Sequence, residues 1–341
     1  MSRTTEINEI VEERYQFCIC LYRIKKEIDK RIKEKKSSID RVTIFAKPCH
    51  IKKLFGPFLK TPQYTQISTL RGHTDSVKCL TFHENKLYSG SMDDTIRVWN
   101  TDTYEELAIL EGHTRWVSCL TLNENKLYSG SHDITIRVWN TETYETIAVL
   151  KGHTDSVRCL TFHENKLYSG GDDKTIRIWN IETHETIATF RGHTGLVRSL
   201  AIHENKLFSG SDDATIRIWD TETHEEIATL DGHTGWVRCL TLHENKLFSG
   251  SNDKTIRIWN TNTYEKIATL EGHIGDVLCF VLHENRLYSE SNDKTIRIWD
   301  TDTYEELAIL EVHTRWVYCL TLHENRLYSG CRDKTIRVWK I

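Results

Sequence analysis

The residues that could do chemistry recur. Seven times a His is followed sixteen residues later by a Ser and twenty residues later by an Asp. Ser, His and Asp are the parts of a nucleophilic hydrolase centre. Each Asp, however, is followed six residues later by a Trp. A buried indole N–H needs an acceptor, while a nucleophile needs an open pocket beside an oxyanion site. A group joined to an indole and repeated sevenfold reads as a folding device. No catalytic residue is expected, although an enzyme stays open as a reading of a different class. The sets are His73/Ser89/Asp93/Trp99, His113/Ser129/Asp133/Trp139, His153/Ser169/Asp173/Trp179 and His193/Ser209/Asp213/Trp219. They continue as His233/Ser249/Asp253/Trp259, His273/Ser289/Asp293/Trp299 and His313/Ser329/Asp333/Trp339.

Metal and redox chemistry find less support. Of the 10 cysteines, Cys79, Cys119, Cys159, Cys239, Cys279 and Cys319 fall at multiples of 40 residues in equivalent apolar positions. Equivalent positions on successive units lie too far apart to bridge, and a free Cys behaves as a small core hydrophobe. His83, His163, His203, His243, His283 and His323 read as turn residues, one per unit, which cannot converge on a metal. Cys18-x-Cys20 and Cys49-His50 are too sparse for zinc. No metal and no cofactor are expected.

The elements that position these residues repeat with a period of 40 and no slippage between residues 71 and 341. In residues 231–270 four runs, VRCLTL, KLFSGS, TIRIW and KIATL, are rich in β-branched and aromatic residues. His243–Asn245 leaves room only for a hairpin, with Asn245 expected to take the left-handed conformation. Asn252-Asp253 makes the second turn and residues 260–264 the third. Each unit is therefore a four-stranded antiparallel meander. Seven sheets with apolar faces bury them by radial packing, which leaves only short edges. The chain stops after the third strand of the seventh unit, and residues 66–70 (QISTL) match the missing fourth strand. The expected fold is an all-β, closed seven-bladed β-propeller over residues 66–341.

These motifs resemble the WD-repeat propeller family. The resemblance covers about four fifths of the chain and implies that each His/Ser/Asp/Trp set is a buried hydrogen-bonded tetrad. It also implies a non-catalytic scaffold or adaptor that docks partners on one face, built by the loop before each first strand and the turn between strands two and three. The side chains placed there are Trp116, Trp236, Trp316, Leu196, Tyr318, Leu278, Arg158, Arg198, Arg238, Met92 and Arg332. Trp, Tyr and Arg dominate binding hot spots. The three arginines of successive units suggest an acidic or phosphorylated partner motif. The chain departs from the pattern at Val312 and Glu290, which stand where other units have Gly, and Asn or Lys often follows the Trp. These changes are expected to weaken the fold locally. Residues 101–116 recur at 301–316 with one change, as a recent duplication would leave them.

The formal net charge is −4 over 341 residues. Residues 1–65 carry 15 basic and 8 acidic side chains, so the remainder is near −11. Apolar residues from Ile7 to Ile32 fall at helical spacing, which predicts an amphipathic helix over about 6–36. Its roles would be packing on the propeller, pairing as a coiled coil or capture of a second protein. The three prolines follow it. The start has no apolar signal core and no stretch suits a membrane span, so an intracellular protein is expected, cytoplasmic ahead of nuclear. Two further readings are a substrate receptor of a ubiquitin ligase, for which no F-box start is visible, and an RNA-associated propeller, which the acidic body opposes.

Overall fold

A computed structural model describes residues 64–311 and 315–341. The helix expected over 6–36, the rest of the N-terminal extension, and Val312 and His313 lie outside the described residues. Among those described, no helix is long and apolar enough to cross a membrane.

Among the described residues, twenty-eight strands form seven four-stranded antiparallel sheets. Blade 1 runs Val77–His83, Lys86–Ser91, Ile96–Asn100 and Glu106–Leu110 from the axis outward. Blades 2 to 6 repeat it. The inner strands neighbour one another around the axis, and that of blade 7, Val317–His323, meets that of blade 1. Blade 7 takes its outermost strand from the other end of the chain. Thr65–Arg71 pairs antiparallel with Thr335–Lys340, with Leu70 opposite Ile336 and Thr65 opposite Lys340.

The faces of the strands explain the packing. Ile136, Val138 and Tyr128 of blade 2 meet Val157, Leu167 and Trp179 of blade 3, and the same contact recurs at each seam. At the closing seam Leu70, Tyr328, Ile336 and Val338 meet Val77, Leu87 and Trp99. The approach is close. A Cβ on Gly130 would stand 2.7 Å from Val157 Cγ1 and 2.5 Å from Cys119 Sγ. Cations lace the seams further out. Lys86 Nζ donates to Thr141 O (3.0 Å), and Arg326 Nη1 reaches from blade 7 to Thr101 O of blade 1 (2.8 Å).

The hairpin turns correct one expectation. The left-handed residue is Glu244 (φ 52), not Asn245, and Glu84, Glu124, Glu164, Glu204, Glu284 and Glu324 match it. The Asn serves through its backbone, because Asn245 O accepts from Thr261 N at 3.0 Å. In the third turn Asn260 Oδ1 accepts from Asn262 N (2.8 Å) and Thr263 N (2.9 Å). Asp220 Oδ1 does the same in blade 4. The turn needs a side-chain oxygen acceptor there, which Asn and Asp both supply.

The residue after each tetrad Asp is also left-handed, and in blade 2 it is Ile134 (φ 66). A β-branched side chain is strained there, and Ile134 is 44% exposed, so little burial offsets the strain. Ile134→Gly is expected to stabilise by about 1 kcal/mol, roughly 2–4 °C in Tm, despite glycine's extra unfolded-state entropy. A thermal melt that is unchanged or lowered would refute it.

Candidate functional site

The tetrads form directed chains. In blade 3, Trp179 Nε1 donates to Ser169 Oγ (2.8 Å), and the hydroxyl faces His153 Nε2 at 2.7 Å. His153 Nδ1 donates to Asp173 Oδ2 (2.8 Å), since a carboxylate only accepts. Asp173 also accepts from Thr154 N and Thr175 Oγ1. Burial pushes the Asp173 carboxyl up, but the bonds from His153, Thr175 and Thr154 outweigh it and hold the group well below the usual range.

Five other blades repeat the chain. In blade 1, Trp99 donates to Ser89, which faces His73, and His73 donates to Asp93. In blade 2, Trp139 donates to Ser129, which faces His113, with Asp133 behind it. In blade 4, Trp219 donates to Ser209, which faces His193, with Asp213 behind it. In blade 5, Trp259 donates to Ser249, which faces His233, with Asp253 behind it. In blade 6, Trp299 donates to Ser289, which faces His273, with Asp293 behind it.

Blade 7 is described only in part. Trp339 Nε1 donates to Ser329 Oγ at 3.0 Å, but His313, expected to join them to Asp333, lies outside the described residues. Asp333 accepts from Thr335 N (3.1 Å), as the Asp of the other blades does, and from Arg337 Nη2 (3.2 Å).

These tetrad residues stand apart from any surface site. Ser89, Ser129, Ser209, Ser249 and Ser289 are wholly buried, as are Ser169 and Ser329. Trp139, Trp219, Trp259 and Trp299 are at most 4% exposed. No substrate carbonyl can reach such a hydroxyl, and one of its lone pairs already holds an indole proton. The arrangement ties two strands, a loop and a turn together rather than making a nucleophile or a docking residue.

The second Ser, present in five of the seven units (Gly171 and Cys331 stand in the other two), does different work. Ser91 Oγ donates to Asp75 O (3.1 Å) and accepts from Asp93 N (3.1 Å). Met92 N donates to Ser76 O (2.9 Å), and Asp172 N to Ser156 O (2.8 Å). These bonds tie the loop before the inner strand to the turn between strands two and three, so both lie at one end of the barrel.

At that end the axis opens into a cavity of about 220 Å³. Its wall takes one residue from every blade: Lys78, Ser118, Arg158, Arg198, Arg238, Leu278 and Tyr318, with Asn292 and Trp316 beside them. Each of the seven is the bulge residue of its inner strand, skipped in the pairing between Val77 and Cys79 and at the six equivalent steps. A bulge re-aims its side chain, here into the mouth. The structure thus brings Arg158, Arg198, Arg238, Leu278, Tyr318 and Trp316 together. Met92, Leu196, Trp116, Trp236 and Arg332 stand outside the cavity wall. Lys78, Ser118 and Asn292 were not singled out from sequence. The signal was their register: the first two occupy the arginine position in their own units.

The arginines are not equivalent. Arg158 donates through Nε and Nη2 to both oxygens of Asp172 (2.7 and 2.6 Å), and its Nη1 lies 2.6 Å from His132 Nε2. Arg198 grips Asp212 in the same way (2.8 and 2.6 Å). Arg238 meets a neutral amide, with Nε donating to Asn252 Oδ1 at 2.8 Å. Three open clamps for an acid, as expected from sequence, are therefore one. Burial, reinforced by Arg158, pulls His132 down to about 4.

Trp116, Trp236 and Trp316 are 42%, 43% and 39% exposed. Each rests one side on a neighbour. Trp116 lies 4.8 Å from the His132 ring, Arg238 sits 4.7 Å over Trp236, and Arg332 sits 4.7 Å over Trp316. Held this way, an indole loses little rotamer freedom on meeting a partner. Leu196 and Met92 are partly buried, and Arg332 is exposed. The thiols of Cys79, Cys159 and Cys279 are free and pushed up by burial. No cluster of three or more metal-ligating side chains occurs among the described residues.

A sevenfold propeller with this tetrad and an indole-lined face defines a class of binding platform. The profile described as WD domain, G-beta repeat matches residues 64–100, 104–140, 144–180, 184–220, 224–260, 264–300 and 304–340. The chain belongs to the WD40 repeat family. Over 37 residues it is 51% identical to proteins named probable E3 ubiquitin ligase complex SCF subunit sconB, from Penicillium rubens and from Emericella nidulans. That stretch is 11% of this chain and 6% of each of those proteins, a single repeat's worth. A crystal structure of the computationally designed Ika8 protein is similar, with TM-score 0.67 and 28% identity. It covers 81% of this chain and 99% of its own. Family membership points to a protein-binding scaffold, and WD40 propellers are generally non-catalytic.

Proposed function

We propose that this propeller is a non-catalytic adaptor that docks a protein on the face carrying the axial mouth. The observation that carries the reading is the set of three indoles around one opening, each about two fifths exposed and each braced from one side. Exposed aromatics interleaved with guanidinium groups, on loops fixed by a rigid scaffold, are the composition of binding hot spots. The outer rim offers isolated aliphatics such as Ile147 and Ile187 on each blade, a more dispersed surface. The match to one repeat of a ubiquitin ligase subunit is compatible with a receptor role but does not favour it over other adaptors.

Affinity purification with mass spectrometry tests the reading. Partners recovered with the full chain are expected to be lost with the Trp116/Trp236/Trp316→Ala triple variant, whose melt stays near that of the parent because the indoles lie outside the blade seams. Partners retained by a folded triple variant would place recognition elsewhere.

A further inference from the structure

The charges at the axial mouth do not balance locally. Four cations line it, Lys78, Arg158, Arg198 and Arg238. Asp172 and Asp212 answer Arg158 and Arg198 with paired bonds. A third carboxylate, Asp276, accepts from the Asn292 amide (3.1 Å). Among the described residues no carboxylate stands within ion-pair distance of Lys78 or Arg238. Lys78 Nζ lies over the Tyr318 ring, 3.3 Å from its centroid. Burial, with Arg158 and Arg238 nearby, draws its ammonium down to about 8. A desolvated cation among other cations is stabilised by whatever anion reaches it.

The free donors are well defined. Arg238 spends Nε on Asn252 and keeps both terminal nitrogens, a fork that fits two oxygens of a tetrahedral anion. Lys78 adds three N–H groups and Tyr318 a hydroxyl. Ser118 adds none, because its hydroxyl bonds Gly130 O (3.0 Å) and Val157 O. The volume of about 220 Å³ lies below that of drug-sized pockets, roughly 300–1,000 Å³, and suits one small group. We propose that the axial mouth is a socket for a single tetrahedral oxyanion, a phosphoryl group, gripped by Lys78 from blade 1 and Arg238 from blade 5. The group arrives as free phosphate or as a monoester on a larger molecule. The inference goes beyond protein docking and does not depend on it.

The blades supply their own control. Asn252→Asp would give Arg238 the carboxylate that Arg158 and Arg198 already hold, in a geometry the fold accepts twice. The purified full-length chain is titrated at pH 7 with sodium phosphate, against sodium chloride at equal ionic strength, by calorimetry and thermal melting. Saturable binding specific to phosphate is expected. Asn252→Asp and Lys78→Met should each weaken it by about tenfold or more. Asp212→Asn, which frees the Arg198 fork, should tighten it. An equal response to phenyl phosphate assigns the socket to monoesters, and a response to inorganic phosphate alone assigns it to the free ion; both support the proposal. Absence of a saturable phosphate response overturns it, as does unchanged affinity in either weakening variant. A chain that keeps its partners through the tryptophans yet ignores phosphate overturns this inference alone.

Discussion

Deleting residues 66–70 from the full chain is expected to abolish cooperative folding, well beyond the effect of losing an outer strand elsewhere. The outermost strand of blades 1 to 6 is continuous in sequence with its own sheet. That of blade 7 comes from Thr65–Arg71 and runs directly into the loop that opens blade 1. This one strand supplies the edge of blade 7 and ties blade 7 to blade 1. Without it Thr335–Lys340 becomes a bare edge, and Leu70, 4% exposed, leaves the seam formed by Ile336, Val338, Leu87 and Trp99. What remains across the closure is the apolar seam of Tyr328, Ile336 and Val338 on Val77, Leu87 and Trp99, without its outer strand, and polar ties such as Arg326 to Thr101 worth about 1 kcal/mol net each, against a whole-domain stability of about 5–15 kcal/mol. Leu70→Ala should act in the same direction at about 2–5 kcal/mol. The deletion would be measured by circular dichroism and thermal melting. A deletion variant that melts like the parent would mean that the ring does not depend on this closure.

Closure was legible because it needs only pattern. An apolar alternation at 66–70 with no partner in its own unit, and a seventh unit one strand short, have one solution. The hydrogen-bonding residues could likewise be picked out by spacing, whereas the direction of the proton chain from Trp179 to Ser169 to His153 needed coordinates. So did the bond from Arg337 to Asp333, which spacing alone does not single out from the six other blades. The mouth was less legible for a definite reason. Arg158 and Asp172 lie fourteen residues apart, one at the bulge of the inner strand and the other in the turn after the second strand, and a bulge is a property of pairing with no signature in residue type. Without that register the three arginines read as equivalent, because their pairing with Asp172, Asp212 and Asn252 has no mark in the sequence. The left-handed Glu84 and Glu244 were missed because Asn, beside each, has the stronger intrinsic preference, and the two-residue hairpin overrode it.

Replacing Glu290 by Gly is expected to stabilise the protein, and by more at pH 8 than at pH 5. Six equivalent positions are glycines pressed against the next blade, as at Gly170, where a Cβ would stand 2.6 Å from Val197 Cγ1. Glu290 occupies the seventh, fully buried between blades 6 and 7. Its Oε1 accepts from Val317 N (3.2 Å), while its Oε2 has no hydrogen-bond partner among the described residues. The seam shows the intrusion. Cys279 and Leu310 are only partly buried, although their counterparts in blade 2, Cys119 and Leu150, are buried. Burial pushes the Glu290 carboxyl well above its usual range. Asp293 adds to the rise, while the Val317 bond and Lys78 oppose it. The thiols of Cys279 and Cys319 facing it are themselves pushed up and stay neutral. The folded chain therefore keeps a proton that the unfolded chain releases at about pH 4.3. Stability from this group is complete below that pH and falls as pH rises, by at most about 1.4 kcal/mol per unit. At pH 8 Glu290→Gly should gain about 2–3 kcal/mol, roughly 5 °C in Tm, because an unpaired buried oxygen is removed and the seam can close as the other six do. Comparing variant with parent at each pH cancels the groups they share, including His132. Glu290→Gln separates the causes: it removes the titration but keeps the bulk, so its Tm should lose the parent's fall above pH 5 without matching the Gly variant. If the gap between Gly variant and parent stays constant from pH 5 to 8, Glu290 is ionised in the folded protein and the seam holds a charge rather than a proton.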